Sequence, residues 1–119
     1  MTPNKPTGFS RIIKATGYSL AGIKSAWKHE AAFRQEVATL SILLPVGLFL
    51  GQNGVEKALL ISSPMIVIVT ELLNSAVEAV VDRTGIEYHP LAERAKDLGS
   101  AAVFVGIAIV IIIWALILI

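Results

Sequence analysis

Glu71, Asn74 and Glu78 lie within ISSPMIVIVTELLNSAVEAVVDR, a stretch otherwise apolar enough to cross a membrane. Spacings of three and four residues put all three on one face of an α-helix, and Asp82, one turn on, extends that face. Carboxylates near a bilayer are costly and persist where they meet a bundle interior, a partner or water. Other polar residues lie where antiparallel helices would bring them to the same depth. Glu30 and Glu36 open the preceding apolar segment, and Glu93, Lys96, Asp97 and Ser100 begin the following one. Oxygen ligands of this kind suit Mg²⁺, which is commonly held by one or two carboxylates together with substrate phosphates. Lys96 could meet a phosphate as a point charge, and a carboxylate in a partly dry site could act as general base. Three readings of the face stay open on these grounds: catalysis, a proton or cation path, and ion pairs with Lys96 or Arg94 that only hold helices together. There is no Walker A loop and no kinase-type glycine-rich loop.

The elements that must position these residues follow from hydropathy and charge. The chain has 119 residues, 55% of them hydrophobic, and a mean hydropathy of +0.72. A chain this short cannot hide so much apolar surface in its own core, and lipid is the natural cover. The expected fold is an all-α membrane protein comprising one membrane-embedded domain over 1–119. Val37–Val55 and Ala58–Thr70 are uncharged, as is Leu98–Ile119, which is long enough to span alone. Gln52-Asn53-Gly54 reads as a turn between the first two spans, and 84–90 breaks the second from the third. The expected spans are about 30–51, 56–83 and 91–119. Pro45 and Pro64 are expected to bend or loosen the spans that hold them. Ala95, Gly99, Ala102 and Gly106 form a small-residue stripe for close helix packing.

Six Lys and Arg between Lys5 and Arg34 precede the first span, and Arg83, Arg94 and Lys96 lie between the second and third. Only Lys57 falls in the first hairpin. The positive-inside rule puts the N-terminus and the 82–97 connection in the cytoplasm, and the first hairpin and C-terminus outside. Residues of about 8–28 form a fourth element: Phe9, Ile12, Ile13, Leu20, Ile23 and Trp27 share one stripe, opposite Arg11, Lys14, Tyr18, Ser25 and Lys28. This is the pattern of a helix lying on the cytoplasmic leaflet. The opening MTPNKPTGFSRIIKATGYS has no apolar core and no cleavage site, so it does not read as a signal peptide. The absence of cysteine excludes disulfides and thiol chemistry. Net charge of +1 says little about partners, and no pattern suggests nucleic acid.

GFSRIIKATGYSLAGIKSAW, HEAAFRQE, ELLNSAVEAVVDR, EYH and RAKDLGSAA together resemble the bacterial integral-membrane diacylglycerol kinases and their relatives, the undecaprenol kinases, from about Gly8 to Ala102. The resemblance implies an ATP- and Mg²⁺-dependent lipid kinase of the bacterial inner membrane, acting in phospholipid recycling. It also implies a homotrimer of one surface helix and three transmembrane helices per subunit, with active sites between subunits at the cytoplasmic interface. By the same resemblance Glu71 is the base for the lipid hydroxyl, Glu30 and Glu78 hold metal, and Asn74 supports them. Arg11, Tyr18, Glu87, Tyr88, His89, Lys96 and Asp97 match nucleotide-site residues. Arg11, Ser19, Lys24, Trp27, Phe33, Gln35, Glu36 and Ser100 match lipid contacts. Diacylglycerol is the expected substrate and undecaprenol the alternative; a small proton or cation transporter and a structural membrane protein are the remoter ones.

Overall fold

The computed structural model describes residues 7–85 and 87–119. Within them the chain forms four helices: α1 (Gly8–His29), α2 (Ala31–Leu50), α3 (Gly54–Arg83) and α4 (Pro90–Leu118). α2, α3 and α4 are each long and apolar enough to cross a membrane. The fold is therefore an all-α membrane architecture. At 1.5 Å per residue α3 measures about 45 Å, longer than the ~30 Å hydrocarbon core, so one end must reach into the interfacial zone.

Local chemistry sets each boundary. Glu30 takes an extended conformation (φ −116°, ψ 106°) and breaks the chain between α1 and α2. The elbow is pinned by Arg34, whose guanidinium donates to the carbonyls of Trp27 (2.7 Å) and Lys28 (3.4 Å). Those carbonyls are among the unpaired acceptors that every helix end leaves. Asn53 caps α3 by accepting from the Glu56 amide (2.9 Å), while the Glu56 carboxylate accepts from the Gln52 amide (3.1 Å). This is a near relative of the capping box. After α3, Gly85 adopts φ +109°, a region that side chains disfavour. His89 then caps α4 through Nδ1, which accepts from the Leu91 amide (3.1 Å), with Pro90 in the first turn.

The bundle is held where small residues let backbones approach. A Cβ added to Gly47 of α2 would lie 3.1 Å from that of Leu60, which is fully buried in α3. Along α4, a Cβ at Gly106 would lie 3.2 Å from Thr70 Oγ1, and one at Gly99 would collide with Asn74 Oδ1. The α4 stripe thus serves packing against α3. Pro45 and Pro64 both sit inside unbroken helices. Neither proline ends its helix, because each removes one amide donor while the surrounding turns keep theirs. Pro64 is moreover buried.

Candidate active site

The polar face of α3 lies at the end of the bundle that α1 and the α3–α4 connection share. Glu71 is only 5% exposed. Its carboxyl lies against that of Glu36 from α2, and Glu30 and Glu78 are within charge–charge range. Asn74 donates through its amide to Glu78 Oε1 (3.4 Å), while its own Oδ1 is buried without a partner. Ser75 Oγ and Glu36 Oε2 are likewise buried and unpartnered. Buried polar atoms without partners cost free energy.

Across the α3–α4 contact Lys96 Nζ pairs with Asp82 Oδ1 at 2.8 Å, the only ion pair among the described residues. Lys96 is also within electrostatic range of Glu78. Among the described residues neither Glu71 nor Glu78 forms an ion pair with Lys96 or Arg94; the pair that joins α3 to α4 uses Asp82. Glu78 instead stands between the Glu36–Glu71 pair on one side and Lys96 on the other.

Two hollows flank this centre. One, about 560 Å³, lies between α1 and α3 and is bordered by Ser19, Glu30 and Ser75. The other, also about 560 Å³, is formed by the α3–α4 connection and holds Asp82, Glu87, Tyr88, His89, Lys96 and Asp97. Tyr88 donates to Glu93 Oε2 at 2.6 Å, and that bond to a carboxylate pushes the phenol above its ordinary range. The structure thus gathers Glu30, Glu36, Glu71, Asn74 and Glu78 in one group, and Glu87, Tyr88, His89, Lys96 and Asp97 in a second beside it. Arg11, Tyr18 and Lys24 stand exposed on α1, and Gln35 and Ser100 are exposed on α2 and α4. Phe33 is buried at 3%, and Trp27 is half exposed, its carbonyl engaged by Arg34. Ser75 and Arg34 were not singled out as site residues in the sequence. Ser75 sits on the same face as Glu71 and Glu78, which was the available signal.

The donor set is entirely oxygen, the chemistry of a hard divalent cation. Among the described residues no three His, Asp or Glu come together as a metal cage. Carboxylates of this kind are ligands that Mg²⁺ takes one or two at a time, together with water and phosphate.

Comparison with known proteins decides the class. Residues 17–118 match the family model described as prokaryotic diacylglycerol kinase. The chain belongs to the prokaryotic diacylglycerol kinase family. It is similar to the diacylglycerol kinase of Escherichia coli (strain K12), 51% identical over 115 residues that cover 97% of this chain and 94% of that one. It is 54% identical over 110 residues to the diacylglycerol kinase of Haemophilus influenzae, covering 92% and 93% of the two chains. The Helicobacter pylori (strain 26695) diacylglycerol kinase is 43% identical over 112 residues, 94% and 88% of the chains. Membership of this diacylglycerol kinase family makes the chain an enzyme, a kinase with three helices long and apolar enough to cross a membrane.

Proposed function

We propose that the protein transfers the γ-phosphoryl group of ATP to diacylglycerol, giving phosphatidic acid and ADP, at the cytoplasmic face of a bacterial inner membrane. The observation that carries this reading is the buried Glu71 at the end of membrane-spanning helices, grouped with Glu30, Glu36 and Glu78 in a chain of this family. It explains why acidic residues are kept at that depth: a lipid hydroxyl arrives from the membrane side and a nucleotide from the water side.

In the proposed mechanism Glu71 accepts the proton of the lipid hydroxyl as its oxygen bonds to the γ-phosphorus and the bond to the β–γ bridging oxygen breaks. Phosphoryl transfer depends on positioning and on balancing charge. Glu30 and Glu78 would hold Mg²⁺, with Asn74 fixing Glu78, and the bound ion would offset charge on the phosphates. Lys96 adds a positive charge beside Glu78, and Glu87, Tyr88, His89 and Asp97 shape the nucleotide end, with Arg11 and Tyr18 reaching it from α1. Ser19, Lys24, Trp27, Phe33, Gln35, Glu36 and Ser100 frame the lipid end. The broad exposed apolar faces of α4 support completion of the site by further copies in a homotrimer. Positive-inside placement supports a cytoplasmic N-terminus and a periplasmic C-terminus.

The test is ATP-dependent phosphate incorporation in mixed micelles containing diacylglycerol or undecaprenol. Glu71→Gln should assemble normally yet lose about 100- to 10,000-fold in kcat. Glu78→Gln should in addition weaken the response to Mg²⁺. A Glu71→Gln protein with unchanged kcat would sink the base assignment, and preference for undecaprenol would sink the substrate.

A further inference from the structure

The hollow between α1 and α3 has two walls of different chemistry. The α3 wall, made by Leu72, Ser75, Ala76 and Ala79, is apolar except for Ser75. The α1 wall carries Ser19, Ser25 and His29, and Glu30 closes it at the elbow. Most of these polar groups are already engaged. Ser19 donates to the Ala15 carbonyl at 2.9 Å. His29 Nδ1 donates to the Ser25 carbonyl at 3.0 Å, and Ser25 Oγ lies 3.4 Å from the same nitrogen.

Two groups remain unengaged. Ser75 Oγ is buried without a partner, whereas Thr39 and Ser41 return their hydroxyls to carbonyls one turn back, each at 2.9 Å. The Ser75 hydroxyl is therefore turned away from the backbone of its own helix. Glu30, on the opposite wall, caps no amide with its side chain and forms no ion pair among the described residues. A hydroxyl donor and a carboxylate acceptor, facing one hollow with nothing else to bind, are complementary. Position adds a second argument. Ser75 lies four residues after Glu71 and three before Glu78, on one face of α3. The carboxylates of Glu30 and Glu78 both repel that of Glu71, so an uncharged donor between them relieves the group. Glu30 also stands at the extended break between two helices, where no packed turn fixes its side chain.

We propose that Ser75 is a positioning residue: its hydroxyl donates to the Glu30 carboxylate across the hollow and holds it in the orientation that takes a divalent cation with Glu78. The inference rests on the metal role proposed for Glu30. Hydrogen bonds to ligating carboxylates fix their orientation, and losing one commonly costs about 10- to 100-fold in metal affinity.

The test uses Mn²⁺ as the probe, with the free ion read by electron paramagnetic resonance on the full chain in detergent. Ser75→Ala should bind Mn²⁺ about 10- to 100-fold more weakly than wild type, and Ser75→Thr, which keeps the hydroxyl, should stay within about threefold. In phosphate transfer, Ser75→Ala should need about tenfold more Mg²⁺ for its half-maximal rate, with kcat at saturating Mg²⁺ within about threefold of wild type. A packing role would lower the yield of folded protein without moving the metal dependence. Mn²⁺ affinity of Ser75→Ala within about twofold of wild type would overturn the proposal. So would a Ser75→Thr protein as weak as Ser75→Ala, or a wild type that binds no Mn²⁺. Wild-type transfer to diacylglycerol separates the two ideas. Weakened Mn²⁺ binding in a protein whose wild type transfers no phosphate would uphold the Ser75 role and sink the diacylglycerol kinase reading, whereas transfer with unchanged Mn²⁺ affinity would do the reverse.

Discussion

Asn74 shows how much one side chain on the acidic face is asked to do. Its amide nitrogen holds Glu78, and its oxygen is buried against the open side of Gly99. Glycine at 99 is thus required by Asn74 rather than by backbone conformation. Gly99→Ala should destabilise the protein by about 1–3 kcal/mol, the usual cost of overpacking, as read by thermal unfolding in detergent. Because the clash is with Asn74, the same substitution in an Asn74→Ala background should cost much less, although that background loses the support of Glu78. An equal cost in both backgrounds would place the clash elsewhere. The Glu36–Glu71 pair is the other residue-scale finding: spacing alone put Glu36 only at the mouth of a span, and the facing helix gave it a partner.

At the scale of elements, the ends of the helices are written in short-range chemistry. Asn53 and Glu56 start α3, His89 and Pro90 start α4, and Arg34 closes the end of α1. Asn53 lies at the end of the bundle away from the acidic centre, which separates stability from activity. Asn53→Ala should lower stability by about 1 kcal/mol and leave kcat per folded protein unchanged. A loss of kcat without a loss of stability would mean that the first hairpin takes part in the reaction. The helices themselves were legible because their apolar runs, turn residues and charge breaks are local. The prolines are less legible locally: exposed Pro45 and buried Pro64 both lie inside continuous helices.

For the whole molecule, the decisive quantity is exposed apolar surface. The chain exposes 8943 Å², against about 6,200 Å² for a compact soluble chain of this mass. Its radius of gyration is 17.5 Å, compared with about 13–14 Å for a compact domain of the same length. Large side chains such as Phe104 and Leu116 on α4 are more than three-quarters exposed, and the apolar stripe of α1 is open from Phe9 to Trp27. Such a surface is stable only against lipid or further copies. The proposed topology is directly testable because the chain contains no cysteine. Gln52→Cys should react with a membrane-impermeant maleimide from the periplasmic side only, and Thr84→Cys only from the cytoplasmic side of inverted vesicles. Labelling of both from one side would rule out the proposed crossing between them.

By itself the sequence determined the kind of molecule: three apolar segments, one amphipathic helix, and a helical face bearing Glu71, Asn74 and Glu78. Those features depend on residue type and on a 3.6-residue period, which neighbours along the chain settle. Only the tertiary structure decided that Glu71 meets Glu36, that Lys96 chooses Asp82 over Glu71, and that Ser75 and Glu30 border one hollow. These depend on the rotation and depth of one helix against another. Contacts between residues far apart in sequence set both, at Gly47 with Leu60, Gly99 with Asn74 and Gly106 with Thr70.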